Sequence, residues 1–173
     1  YNDGVFFYMA NRNLMHYVVV TVIPVNSDGK YLICKRAPFE KAFPNMWTVP
    51  GGKLEVLDYA LRQKDTTEHW YNVLEEAAKR EVFEEVGLHV SDIGYVTSMV
   101  YLRSDNIPCI IISLYAHVEH NDSIILEKSL VDYAWVTLSE AKEYDLIDGI
   151  YEELKVLDAQ LTTGKNVMWS KEL

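Results

Sequence analysis

Two pairs of β-branched segments constrain the fold of this chain more than any other feature. The first pair consists of HYVVVTVIPV (16–25) and KYLICKRA (30–37), joined by NSDG, a turn sequence typical of β-hairpins. The second consists of IGYVTSMVYLR (93–103) and CIIISLYAHVE (109–119), joined through SDNIP. Helical patterns lie between and after these pairs without strict β-α alternation. We therefore predict a mixed β-sheet flanked by helices, an α+β fold of the α/β/α sandwich type.

Shorter patterns complete the predicted order of elements. Two more strands are predicted from MWTV, which precedes PGG, and from DYAWV (132–136). A capping box, TLSE (137–140), predicts a short helix with Thr137 as its N-cap. The last predicted helix, roughly 148–162, carries an apolar stripe and ends near Gly164; the stripe consists of Ile150, Leu154, Leu157 and Leu161.

The length and charge of the chain limit its organisation and its partners. We expect an N-terminal extension of uncertain structure over 1–15 and a single domain over 16–173. The 16 basic residues against 26 acidic ones give a net charge of −10, which argues against binding to a nucleic-acid polymer. No run of residues suggests a membrane span. Because the sequence begins at Tyr1 rather than Met, its natural N-terminus stays open.

The two cysteines bear on the compartment in which the protein works. Cys34 and Cys109 lie far apart in apolar, strand-like segments and match no metal-binding or redox spacing. We interpret them as buried thiols, which fits a reducing, cytoplasmic compartment.

The helix predicted at EEAAKREVFEEVGL (75–88) carries three glutamates in an unfavourable place. Glu81, Glu84 and Glu85 share one face of the helix in the last turn before Gly87, where the helix dipole disfavours negative charge. Crowding and dipole together cost about 1–2 kcal/mol. A hard divalent cation such as Mg²⁺ would offset this cost, because it prefers oxygen ligands. The spacing alone leaves open a solvated acidic face that Arg80 partly neutralises.

Together with the loop that precedes it, this helix resembles the signature of the Nudix hydrolases, G-x5-E-x7-R-E-U-x-E-E-x-G-U, in which U is aliphatic. The loop VPGGKLE (49–55) is similar to the start of that signature, with Gly52 as its first glycine. The second half is matched at every specified position, by Arg80, Glu81, Val82, Glu84, Glu85, Gly87 and Leu88. The order of strands and helices also follows the family, so the resemblance covers most of residues 16 to 162.

One departure from the family's pattern concerns the first acid. The family separates the glycine from the arginine by 14 positions, whereas Gly52 and Arg80 lie 28 positions apart, so the chain carries 14 extra residues. Counting from Gly52 places Asp58 at the acid position, and counting back from Arg80 places Asn72 there. The segment VLDYALRQKDTTEHWYN (56–72), which contains the extra residues, is either a lid or partner-binding segment or a surface excursion. Since the family's first acid mainly supports the loop and the arginine, we expect activity to be kept.

The resemblance implies metal-dependent hydrolysis of a nucleoside diphosphate linked to another group, with water attacking phosphorus. It implies Mg²⁺ or Mn²⁺ as the cofactor, bound by the three glutamates, and Arg80 as the residue that holds the helix and the loop together. Glu84 or Glu85 is expected closest to the attacking water. The general base stays open, with Glu127 and Asp132 as the acids of the distal segment.

Further residues are predicted to contact the substrate. Arg36, at the end of the second strand, is where relatives present a phosphate-binding arginine, and a surface arginine is the alternative. The glycines at 51 and 52 would let the backbone approach the metal, and Glu55 would extend the acidic lining. Five aromatic residues are candidates for base recognition or, alternatively, for the core: Phe43, Trp47, Tyr101, Tyr115 and Trp135.

The favoured substrate is a nucleoside triphosphate, including damaged ones, because RAPFEKAFPNMWTVPGGKLE resembles enzymes of that group. Nucleotide-sugars and dinucleoside polyphosphates are the alternatives among nucleotide-type small molecules. A different class of function is a nucleotide-sensing domain without turnover, but the Glu-x-x-Glu-Glu set is intact here. The resemblance also suggests a homodimer.

Overall fold

The computed structural model describes residues 15–119 and 123–171, so the predicted N-terminal extension lies outside the described residues except for Met15. The strands are β1 (Tyr17–Val25), β2 (Tyr31–Arg36), β3 (Trp47–Thr48), β4 (Gly51–Lys53), β5 (Val90–Leu102), β6 (Pro108–Val118) and β7 (Leu130–Val136). The helices are α1 (Leu57–Ala60), α2 (Val73–Val86) and α3 (Ile150–Thr163), with a 3₁₀ helix at Glu140–Glu143.

These strands form one mixed sheet, as predicted. Its order is β3-β2-β1-β6-β5, with β4 paired to β1 and β7 paired to β2. β1 and β6 run parallel, and the other pairs are antiparallel. Both predicted hairpins, β1 with β2 and β5 with β6, are present. Because β4 pairs with Val19–Thr21 of β1, the chain around PGG is placed beside the centre of the sheet.

Side chains alternate between two apolar layers, which confirms the α/β/α sandwich. On β1, Val20 and Val22 pack with the buried residues of α2, whereas Ile23 and Val25 pack with those of α3. This alternation follows from the period of two along a strand. The two surfaces of the sheet are called the α2 face and the α3 face below.

The acidic helix α2 ends where the sequence predicts. Gly87 adopts the left-handed conformation (φ 73°) and its N–H donates to the Phe83 carbonyl. Two further backbone carbonyls at this end accept hydrogen bonds from the segment that follows β6. The Val86 carbonyl accepts the Ile125 N–H, and the Glu85 carbonyl accepts the Glu127 N–H. These bonds satisfy carbonyls that a helix end otherwise leaves unpaired, and they bring the distal segment to the glutamates.

The end of the chain follows the predicted pattern with two corrections. The reciprocal bonds of the capping box form, because Thr137 N–H donates to Glu140 and Glu140 N–H donates to the Thr137 hydroxyl, but the helix is 3₁₀ and its N-cap is Ser139, not Thr137. In α3 the predicted stripe is buried except for Leu161, which lies in the last turn of the helix and is 40% exposed. Both cysteines are buried free thiols. No helix among the described residues is long and apolar enough to cross a membrane.

Candidate active site

Arg80 joins the loop after β4 to helix α2. Its Nε donates to Asp58 Oδ1 at 2.6 Å, and its Nη1 lies 2.8 Å from Glu81 Oε1 and 2.9 Å from Glu84 Oε2. Its Nη2 reaches Asp58 Oδ2 at 3.2 Å. Three carboxylates around one guanidinium raise the pKa of Arg80, with the hydrogen bond that it donates to Asp58 as the main cause. The predicted pairing of this arginine with a carboxylate is therefore present as a four-residue cluster.

Asp58, and not Asn72, is the residue that Arg80 contacts. The Asp58 side chain is 5% exposed and also accepts the Glu55 N–H at 2.7 Å. Burial acts to raise the pKa of Asp58, but the bonds from Arg80 and Glu55 outweigh it, and the pKa is lowered. Asn72 instead precedes α2 in a left-handed conformation (φ 55°). The extra residues thus follow the acid, and the Glu55 side chain itself is exposed.

The two glycines of strand β4, Gly51 and Gly52, allow it to pack closely against β1 and α2. A Cβ on Gly51 would lie 2.8 Å from the Thr21 Cα, and a Cβ on Gly52 would overlap the Glu81 carboxylate. The sequence predicted that the backbone at these glycines approaches a metal. In the structure Gly51 approaches the backbone of β1, and Gly52 approaches the carboxylate of Glu81. Both glycines are needed for steric reasons.

Glu85 is bound to the same loop from the other side. It is half-buried, and the Gly51 N–H donates to its Oε2 at 3.0 Å. Burial raises the pKa of Glu85 to about 7, with Glu81 and Glu127 acting in the same direction, whereas the Gly51 N–H and Arg36 oppose the shift. The charged groups that act on the Glu85 carboxylate therefore include Arg36, the predicted phosphate-binding arginine, and Glu127, one of the two distal acids.

Arg36 and Glu127 are each held by backbone groups. Arg36 donates from Nε to the Ala42 carbonyl and from Nη2 to Glu40, both at 2.9 Å, so it ties down the loop after β2. Glu127 Oε2 accepts the Ser129 N–H at 2.7 Å, and the bonds from Ser129 lower the pKa of Glu127. The other distal acid, Asp132 on β7, is the register partner of Lys35 on β2.

The ligand types fit a hard divalent cation, but their arrangement differs from the prediction. Among residues 15–119 and 123–171, no three His, Cys, Asp or Glu side chains are grouped as a metal site. Glu81 and Glu84 are both turned to Arg80, and Glu84 is 55% exposed, while Glu85 is turned to Gly51. The carboxylate oxygens and the raised pKa of Glu81 and Glu85, caused mainly by burial, are consistent with a cation among them.

The α3 face of the sheet continues from this loop as a shallow cleft. Its floor consists of three rows of register partners, which we call the cleft floor: Gly51–Thr21–Ser113–Thr97, Lys53–Val19–Ile111–Met99 and Tyr17–Cys109–Tyr101. Phe43 lies at one end, with its ring centroid 6.0 Å from that of Tyr101. The start of α3 lies at the other end, where Gly149 approaches Met99.

The remaining aromatic candidates are packed in the sheet layers. Trp47 contacts Tyr144 edge to face, with ring centroids 4.7 Å apart, and packs with the core on the α3 face. Tyr115 packs on that face and Trp135 on the α2 face. Phe43 and Tyr101 are therefore the candidates that the structure brings to the cleft.

Sequence reasoning missed Glu153, a buried acid of α3. It is 3% exposed, its Oε2 has no hydrogen-bond partner in the described part of the chain, and burial raises its pKa to about 7. The signal was available, because Glu153 stands at i+3 from Ile150 and next to Leu154, within the apolar stripe.

Comparison with protein families now bears on this site. The family described as "NUDIX domain" matches residues 15–157, most of the chain and all of the elements that form the site. This chain belongs to the NUDIX domain family. The resemblance noted in the sequence is thereby confirmed.

Individual relatives agree with this assignment. The nucleoside triphosphatase NudI of Salmonella agona (strain SL483) is 32% identical over 132 residues, which cover 70% of this chain and 83% of that protein. The protein of the same name from Klebsiella pneumoniae (strain 342) is 27% identical over 132 residues, which also cover 70% of this chain and 83% of that protein. The solved structure of a NUDIX hydrolase from Nitrosomonas europaea superposes with a TM-score of 0.65 at 18% identity. The superposition covers 92% of this NUDIX chain and 96% of the Nitrosomonas europaea chain.

Proposed function

We propose that this NUDIX chain is a pyrophosphohydrolase that hydrolyses nucleoside triphosphates with the help of a divalent cation. The relatives named nucleoside triphosphatases support the substrate class. In the reaction the water oxygen bonds to phosphorus, an anhydride P–O bond breaks, and the water's proton passes to a carboxylate.

The glutamates of α2 would hold the cation, which is Mg²⁺ or Mn²⁺. Glu81 lies against Gly52 of β4 and Glu85 accepts the Gly51 N–H, and Glu84 joins them through Arg80. When bound, the cation neutralises charge on the phosphate oxygens and acidifies a water molecule. Arg80 positions the loop against the helix through Asp58, and this is a positioning role.

The observation that carries the proposal is the double attachment of the loop to α2. Arg80 bonds to Asp58 on one side, and Gly51 N–H bonds to Glu85 on the other. These contacts support the proposal because they hold carboxylate oxygens of α2 beside Gly51 and Gly52. Of the two distal acids, Glu127 is the better candidate for the general base, because it lies beside Glu85.

The test is release of phosphate and pyrophosphate from a panel of nucleotides with Mg²⁺ or Mn²⁺. The panel comprises nucleoside and deoxynucleoside triphosphates, oxidised dGTP, ADP-ribose, nucleotide-sugars and dinucleoside polyphosphates. Glu84→Gln and Glu85→Gln should each lose turnover by at least roughly 100-fold, beyond the 10- to 100-fold typical of outer-shell partners. Glu75→Gln, at the other end of α2, is the matched control and should keep full activity.

Two results would contradict the proposal. Unchanged turnover in both glutamine variants would remove the α2 carboxylates from the reaction. Metal-dependent binding of a nucleotide without turnover on any compound of the panel would support a sensor in place of an enzyme.

A further inference from the structure

The segment 56–72, which contains the extra residues, folds back on itself next to the carboxylate cluster. It begins with α1, a helix of four residues, and continues as an exposed loop. A helix this short does not form by itself in water, so contacts from outside α1 are needed to hold it. Four residues of the segment are partly buried and the others are exposed; the four are Asp58, Tyr59, Arg62 and Trp70.

An aromatic pair holds α1 from the side of the loop. The ring centroids of Tyr59 and Trp70 lie 5.4 Å apart in a tilted arrangement, which is favourable for aromatic pairs. The Trp70 Nε1–H donates to the Arg62 carbonyl at 3.1 Å, and the Arg62 N–H donates to the Tyr59 carbonyl at 3.0 Å. Trp70 is therefore connected to the end of α1 both by its ring and by its N–H.

Further contacts within the loop hold Trp70 in its place. Arg62 Nη2 donates to the Tyr71 carbonyl at 3.0 Å, and Asp65 Oδ2 accepts the Tyr71 N–H at 2.9 Å. The ammonium group of Lys64 lies 5.2 Å from the centroid of the Trp70 ring. Because these contacts all lie between residues 62 and 71, the loop stabilises its own conformation and can support α1.

Asp58 connects α1 to the candidate active site. Among the side chains of residues 56–72, it is the only one with a hydrogen bond to a side chain elsewhere in the described part of the chain. That bond is to Arg80, whose guanidinium also contacts Glu81 and Glu84. The contacts that lead from Trp70 to the carboxylates of α2 therefore pass through Asp58.

We propose that Trp70 is a positioning residue for the α2 carboxylates: its ring holds α1 so that Asp58 keeps Arg80 in place beside Glu81 and Glu84. The inference rests on the proposed function, since it assigns a support to that same site. In this role the extra residues supply the contact that α1, with only four residues, lacks by itself.

Loss of the indole should change the site without unfolding the protein. If α1 moves and takes Asp58 with it, Arg80 keeps only Glu81 and Glu84 as carboxylate partners. Its positive charge then competes with a cation for their oxygens. Both the affinity for the cation and the turnover should fall. A purely structural role of Trp70 would lower the unfolding free energy and leave these two properties of the folded protein unchanged.

The first experiment measures Mn²⁺ binding by electron paramagnetic resonance without substrate, and kcat on the panel of nucleotides. Trp70→Leu should weaken Mn²⁺ binding and lower kcat by roughly 10-fold each, the lower end of the range for residues that support metal ligands. Trp70→Phe keeps a ring against Tyr59 and should recover most of this loss. The matched control is Tyr71→Leu, an exposed aromatic residue of the same loop, which should change neither quantity.

A double-mutant cycle with Asp58→Asn tests the path from Trp70 to the site. If Trp70 acts through Asp58, adding Trp70→Leu to Asp58→Asn should change Mn²⁺ affinity and kcat by less than about 2-fold. A further loss of about 10-fold in the double variant would show that Trp70 acts independently of Asp58 and would overturn the inference. Urea unfolding checks that each variant is folded. Tyr59→Leu removes the same aromatic contact from the side of α1 and should reproduce the effect of Trp70→Leu.

The outcomes separate this inference from the proposed function. Unchanged Mn²⁺ binding and kcat in Trp70→Leu would overturn the inference and leave the proposed function standing. Weaker Mn²⁺ binding in Trp70→Leu but not in Tyr71→Leu, without turnover of any nucleotide, would support the inference and contradict the proposed enzyme. A natural protein that binds no Mn²⁺ would overturn both.

Discussion

The buried acid Glu153 makes the stability of the fold depend on pH, and Glu153→Gln is the perturbation that isolates its contribution. Burial raises the pKa of this carboxyl from about 4.5 to about 7 in the folded protein. The folded state therefore holds the proton more tightly than the unfolded chain. The associated stability is present below pH 4.5 and is lost as the pH rises through about 7.

The size of the effect follows from the two pKa values. A shift from 4.5 to about 7 corresponds to about 3 kcal/mol when the carboxyl is fully ionised. Between pH 5 and pH 8 the loss is about 2–3 kcal/mol, because part of it already occurs below pH 5. Glutamine has nearly the same shape and carries no charge, so the variant should not show this loss.

The assay is urea unfolding of the natural protein and of Glu153→Gln at pH 5 and at pH 8. We expect the difference in unfolding free energy between the two proteins to shift by about 2–3 kcal/mol in favour of glutamine at pH 8. Taking the difference between proteins removes the contribution of Glu85, which titrates in the same range and is present in both. A difference that is the same at both pH values would refute the burial of an uncompensated carboxyl at this position.

Three further substitutions test the site and its supports. Gly52→Ala should lower kcat strongly without unfolding the protein, because the added Cβ displaces the Glu81 carboxylate; circular dichroism and steady-state kinetics check both parts, and full activity would contradict the steric argument. Asp58→Asn should destabilise the fold by about 1–3 kcal/mol, because it removes the charge that Arg80 binds. Asn72→Gly, at the other position that counting allowed for the first acid, is the control and should change the unfolding free energy by only a few tenths of a kcal/mol. Gly87→Ala should cost about 1–2 kcal/mol in thermal or urea unfolding, because φ is 73° at the end of α2; no loss would show that this end relaxes.

Local patterns in the sequence were sufficient for the elements and for the identity of the acidic helix. The β-branched hairpins, the capping box at Thr137 and the end of α2 at Gly87 depend on contacts between neighbours in the chain, and all three are present. The exposure of Leu161 was not foreseen, because periodicity gives the direction of a side chain but not how much of it the rest of the fold covers.

The grouping of distant residues was decided only by the tertiary structure. Counting along the chain could not choose between Asp58 and Asn72, since the choice depends on where a 14-residue insertion leaves the path of the backbone; the structure places Asp58 against Arg80. In the same way, the helical spacing of Glu81, Glu84 and Glu85 placed them on one face but could not show that Arg80 and Gly51 divide them.

By itself, then, the sequence determined the family, the mixed sheet and the residue types of the site, because these follow from periodicity and from a motif of fixed spacing. The tertiary structure alone decided which polar groups are buried without a partner. Whether an acid such as Glu153 is solvated or enclosed depends on the strands and the C-terminal segment that pack around it, and those lie up to 56 residues away, as Thr97 does. Burial is a property of the whole fold, and it is burial that gives this carboxyl its chemistry.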